Sequence, residues 1–154
     1  MSTPLPHTWR PRKTRVWCYA IAAFMLVVLA VIAVILPDDG ARAWNLPSRI
    51  GVFAVGVGLA AFLHRHANVR ILATDAGLEV VNLFRRHQLA WGEVLGVRLH
   101  RGDPWVYLDL ANGETIAAMG IQNSDGPAAP AAARALAELV HERSGETGAS
   151  SPPR

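Results

Sequence analysis

Cysteine is nearly missing from this 154-residue chain, and Cys18 stands alone inside an apolar run. One thiol excludes a disulfide framework, a cysteine-based zinc site and a thiol–histidine pair. It reads as a small packing or lipid-facing residue. The motifs of the common catalytic machineries are missing too. There is no phosphate loop, no Gly-x-Ser-x-Gly and no His-Glu-x-x-His. His64 and His66 are two apart, so on a helix they point to different faces and suit polar boundary roles better than metal ligation. His87 and His100 lack an obvious ligand partner. Asp103, in an Asp-Pro turn, is expected to cap backbone amides, and Asp109 to point outward on a strand. No catalytic, cofactor or metal residues are therefore assigned.

Acidic residues are missing from residues 1–15, which carry Arg10, Arg12, Lys13 and Arg15. Residues 64–154 carry nine Arg against ten Asp or Glu and are near neutral. The sequence pI of about 9.7 thus originates in the N-terminal arm. A basic pI often signals nucleic acid. Here the excess adjoins a hydrophobic segment, and membrane topology explains it better, so no nucleic-acid partner is expected.

Charge is missing altogether from Val16 to Leu36, 21 residues. As a helix this run spans about 30 Å, the hydrocarbon thickness of a bilayer. Trp17 and Tyr19 lie at its start, where amphipathic rings favour the interface. Ile50 to Leu63 is a second apolar run of 14 residues, and with Leu46-Pro47-Ser48 it is long enough to cross. Gly51, Ala54, Gly58 and Ala61 share one face of that helix and predict close packing against the first. A re-entrant helix is the alternative.

The predicted organisation is a basic cytoplasmic arm (1–15), a transmembrane helix (16–36), a short external loop (37–45) and a second transmembrane helix (46–65). A soluble domain (70–143) and a disordered tail (144–154) follow. The positive-inside rule then puts both termini in the cytoplasm of a multi-pass cell-membrane protein. A competing reading is secretion, because Ala41-Arg42-Ala43 imitates a signal-peptidase site. The apolar run is longer than the usual signal core of about 7–15 residues.

From Arg70 the apolar period changes to two. Strands are expected at 70–74, 78–83, 88–91, 95–100, 105–110 and 115–119. Leu95, Val97 and Leu99 are expected on one face, and Val106, Leu108 and Leu110 inward. Asn112-Gly113 is the best hairpin signal. Pro130 to Arg143 reads as an amphipathic helix, capped by Ser124 or Asp125 and stopped by Gly145. The fold class is thus two membrane helices plus α+β, with about six antiparallel strands and a helix packed on the sheet.

Trp9-Arg10-Pro11-Arg12, Thr74 to Leu83, Ala90-Trp91-Gly92-Glu93-Val94 and Arg101 to Leu110 together resemble the bacterial pleckstrin-homology (PH)-like domain proteins. More narrowly, they resemble the low molecular weight protein antigen 6 family. The resemblance spans roughly residues 9 to 143. It implies a strongly bent sheet, near a barrel, closed at one end by the C-terminal helix. It implies no reaction, cofactor or set of functional residues. Such domains commonly have seven strands, so either a seventh is hidden near Phe84 or Gly120-Ile121-Gln122, or the barrel is incomplete.

Six arginines follow the second apolar run: Arg65, Arg70, Arg85, Arg86, Arg98 and Arg101. They are candidate contacts for anionic headgroups. The alternative is that they are solvated strand and turn residues. Trp105 and Tyr107 share an outward face and are candidate partner contacts. Three functions are open: a membrane-tethered, non-enzymatic module binding a protein segment or anionic lipid, a structural subunit assembled through the Gly51/Ala54/Gly58/Ala61 face, and an enzyme with an unfamiliar pocket.

Overall fold

The structure is a computed structural model and describes residues 3–37 and 44–149. Most of the 37–45 loop, the Ala41-Arg42-Ala43 triplet and residues 150–154 lie outside the described residues. The chain divides into two compact units, Met1–Lys13 with Asn68–Arg154, and Thr14–Ala67.

Among the described residues the first unit holds seven strands in two antiparallel sheets. Strands β1 (His7–Trp9), β2 (Arg70–Thr74), β3 (Gly77–Val81) and β4 (Arg86–Leu89) form one sheet in that order. Strands β5 (Val94–Arg98), β6 (Trp105–Leu110) and β7 (Thr115–Gln122) form the other. The seventh strand is neither near Phe84 nor at Gly120–Gln122, which simply extends β7. It is β1, from the N-terminal arm, with Trp9 opposite Ile71 and His7 opposite Ala73. The arm is therefore not free: His7 to Trp9 complete the sheet, and Pro11 is fully buried. The domain is discontinuous in sequence, and both apolar helices are inserted between β1 and β2.

Alternation decides the faces. Trp9, Ile71, Ala73 and Val80 point into the core, as do Val106, Leu108 and Leu110 from β6. Leu95 departs from expectation. A register shift between Val94 and Gly96 marks a bulge, and Leu95 is 70% exposed on it while Val94 is buried. A bulge adds one residue to a strand and breaks the period-two pattern there. Trp91 lies in a 3-10 turn (Trp91–Glu93), buried, with its indole N–H donating to the Thr74 and Asp75 carbonyls.

The C-terminal helix α3 (Ala128–Ala149) buries Ala129, Ala133, Leu136, Leu139 and Val140 in the same core. Residues 144–149 are thus helical rather than a disordered tail. Gly145 does not end the helix, because it has no positive φ and an added Cβ would meet open space. Ser144 Oγ donates to the Trp91 carbonyl at 2.9 Å and ties this last part of the helix to the domain. Asp125 does not cap α3. Its carboxylate accepts from the backbone N–H groups of Arg12 and Lys13, at 3.2 and 3.0 Å. These are the first residues of the helix that follows β1, and their amides have no partner within that helix.

The second unit holds most of helices α1 (Arg12–Ile35) and α2 (Leu46–Ala67). Both are long and apolar enough to cross a membrane. Within it, Cys18 and Ala22 are buried on α1 and Gly56 on α2. A Cβ on Gly56 would come within 3.1 Å of Leu29 Cδ1, so α1 is seated on Gly56. The expected packing face is a different one. Gly51, Ala54, Gly58 and Ala61 are all exposed, and added Cβ atoms at Gly51 and Gly58 meet nothing. At about 100° per residue, the two-residue step from Gly56 to Gly58 turns to the opposite side of the helix. Polar contacts close the two ends of the pair. Tyr19 Oη lies 3.3 Å from His64 Nδ1 at one end. At the other, Arg49 donates to the carbonyls of Ala33, Val34 and Leu36, which are unpaired at the C-terminus of α1.

Candidate functional site

The six arginines fall on different elements. Arg70 and Arg86 lie on one row of the first sheet, each opposite Val81, and Arg85 is in the turn before Arg86. Arg86 Nε is 3.2 Å from Glu79 on the neighbouring strand. Arg98 and Arg101 belong to β5 and the turn after it, in the other sheet. Arg65 lies on α2, in the second unit.

Arg98 is committed internally. Its Nε and Nη2 donate to the two Asp109 oxygens at 2.5 and 2.8 Å, and Thr115 Oγ1 donates to Asp109 at 2.8 Å. The Arg98 hydrogen bond, then that of Thr115, holds the Asp109 carboxyl below its usual range. The same bond from Asp109 raises the guanidinium. A forked pair of this kind fixes the geometry of the guanidinium. Asp103 caps the His100 N–H at 2.8 Å, as a turn aspartate should.

Trp105 and Tyr107 do share the outer face of β6, and both are half-buried. The Trp105 indole N–H is enclosed and has no hydrogen-bond partner among the described residues. An unmet buried donor costs about 1–3 kcal/mol. Trp105→Phe keeps a ring and removes that donor, so thermal melts should show stability close to wild type. A large fall in melting temperature would mean that the N–H is in fact satisfied.

The part of the first unit that sequence reasoning missed is the junction at the end of β1. His7, Thr8, Trp9, Arg10, Arg12 and Lys13 line a cleft of about 570 Å³ whose other wall is Gly120, Ile121, Asp125 and the first turns of α3. The two Asp125 oxygens accept hydrogen bonds from the backbone amides of Arg12 and Lys13 rather than pairing with their side chains. The Arg10, Arg12 and Lys13 side chains are exposed and carry no ion pair among the described residues. Four basic residues in the first fifteen were visible in the sequence. Their place in the domain was not, because it depends on a strand of only three residues.

A smaller cleft of about 330 Å³ opens between the β3–β4 turn and β7, lined by Asn82, Phe84, Arg85 and Met119 among others. Asn82 braces this turn. Its N–H donates to the Arg85 carbonyl at 2.9 Å. Its side chain donates to the Ala117 carbonyl at 2.6 Å and accepts from the Met119 N–H at 3.0 Å. Phe84, at the tip, is 73% exposed. Among the described residues no group of three or more His, Cys, Asp or Glu is placed to hold a metal ion.

A family model described as the bacterial PH domain matches residues 68–138, which cover β2 to β7 and the first half of α3. An uncharacterized protein of Mycobacterium bovis is 33% identical over 144 residues, 90% of this chain and 93% of its own length. Uncharacterized proteins from two strains of Mycobacterium tuberculosis match to the same extent. No solved structure matches the chain. The similarity to the mycobacterial proteins runs well beyond residues 68–138, and by this agreement in sequence the chain belongs to the bacterial PH domain family.

Proposed function

We propose that this chain is a membrane-anchored, non-catalytic interaction module. In this reading α1 and α2 cross the bilayer as a pair, and the PH-like domain binds anionic lipid or a protein segment at the cytoplasmic face. The narrower likeness to the low molecular weight protein antigen 6 family is part of this reading.

One observation carries it: β1 precedes both apolar helices and β2 follows them, yet the two strands are paired. Strands of one sheet lie on one side of a bilayer, so the residues between them cross an even number of times. Two helices, each with its backbone satisfied internally, meet that condition. A single crossing does not. Cleavage after Ala43 is also disfavoured, because it would discard β1 and with it Trp9 of the core. The basic residues flanking α1 favour the cytoplasm for the termini. The non-catalytic reading follows the PH-like domain.

Cysteine labelling in a Cys18→Ala background tests the topology. Asp39→Cys should react with an impermeant maleimide in intact cells, and Arg101→Cys only after permeabilisation. Labelling of both from outside rejects the orientation, and extraction by alkaline carbonate rejects the anchor. The alternative of an accessory subunit keeps one supporting observation, that the face bearing Gly51, Ala54, Gly58 and Ala61 is not used to seat α1.

A further inference from the structure

We propose that the β3–β4 turn is a second, non-helical contact with the bilayer, in which Phe84 enters the headgroup boundary and Arg85 meets anionic lipid phosphates. This rests on the membrane reading above.

The register of the first sheet carries the inference. Trp9 pairs with Ile71, Arg70 with Val81, and Val81 with Arg86. The end of β1, the start of β2 and the β3–β4 turn are therefore at the same end of the sheet. Two residues, Arg10 and Pro11, lead from β1 to α1, and two, Asn68 and Val69, lead from α2 to β2. Two residues reach at most about 7 Å. Neighbouring strands are about 4.8 Å apart, so Arg86 is only about 10 Å across the sheet from Arg70. The end of the sheet that carries both connections to the helices thus also carries the turn.

The chemistry at its tip fits a lipid surface better than water. Phe84 is 73% exposed, on a turn that Asn82 braces, so its exposure is built in. Arg85 and Arg70 carry no ion pair among the described residues. An aromatic ring beside arginine is the composition of interfacial anchors, where apolar burial and attraction to anionic lipid act together. Leu95 is about as exposed, but it lies on the β5 bulge in the other sheet. It provides an internal reference.

The test uses full-length protein in a Cys18→Ala background, reconstituted into vesicles of phosphatidylcholine with or without phosphatidylglycerol. Phe84→Cys and Leu95→Cys are each labelled with an environment-sensitive dye. In anionic vesicles the label at 84 should shift to the blue and lose quenching by aqueous iodide, while the label at 95 stays quenched. Arg85→Glu should abolish the shift at 84. Protein that floats with the vesicles while 84 is as quenched as 95 overturns the inference and leaves the membrane reading standing. An equal shift in phosphatidylcholine alone, or one unaffected by Arg85→Glu, overturns the anionic-lipid assignment. Protein that fails to float overturns the membrane reading itself. Both labelled positions are exposed, so folding should survive, and an Arg85→Cys label on the same turn provides an independent reading.

Discussion

Trp9→Ala should destabilise the PH-like domain by about 3–5 kcal/mol, the usual cost of truncating a buried aromatic side chain to alanine. The magnitude follows from where Trp9 lies. It is 8% exposed, stands opposite Ile71, and belongs to the cluster that includes Val80 and Ala73. His7 packs on its ring, with centroids 4.4 Å apart. Small domains have only about 5–15 kcal/mol of stability in total, so the loss would be severe. Thr8→Ala provides the contrast. Thr8 is exposed on the same strand, and its truncation should stay within about 0.5 kcal/mol. Denaturant unfolding of the full-length protein in detergent, followed by near-ultraviolet circular dichroism, measures both. Equal and small effects would mean that the N-terminal segment is not part of the domain. The paired-helix topology would then lose its support.

The sequence reveals elements wherever the apolar period is unbroken. β2 and β6 have the bounds that alternation implies, and Asn112-Gly113 does join β6 to β7. It fails where geometry is set by distant partners. β1 is three residues long, too short for a period, and is defined only by its pairing with β2. Asp125 looks like a cap for the helix beside it, but its amide partners are more than a hundred residues away. Leu95 obeys alternation in sequence, and the bulge turns it outward. The candidate surface shows the same limit. Six arginines are easy to count, but they fall on different elements, and Arg98 is already held by Asp109. Arg10, Arg12 and Lys13 read as topology signals, whereas β1 and Asp125 make them part of the domain's wall.

Gly120→Ala should destabilise the domain by about 3 kcal/mol or more. Gly120 is where β7 passes over β2. A Cβ there would lie 2.4 Å from the Ile71 amide nitrogen, 2.7 Å from the Arg70 carbonyl carbon and 2.9 Å from Ile71 Cγ1. The first two obstacles are backbone, so no rotamer change relieves them. Moving β2 aside would disturb its pairing with β1 on one side and β3 on the other, at a residue that is completely buried. Overpacking in a core commonly costs about 1–3 kcal/mol, and a backbone collision belongs at or beyond the top of that range. Gly145→Ala makes the same chemical change in α3 with open space around it, and should stabilise by up to about 1 kcal/mol. Opposite signs from one substitution would show that contact, not glycine's flexibility, decides. Unchanged unfolding of Gly120→Ala would refute the close crossing of β7 on β2. The crossing also has a functional consequence. Asn82, which holds the β3–β4 turn, is bonded to Ala117 and Met119 of the same β7 strand. A β7 strand displaced at Gly120 would release that turn. A partly folded Gly120→Ala protein should therefore lose the dye shift at position 84 before it loses its helices.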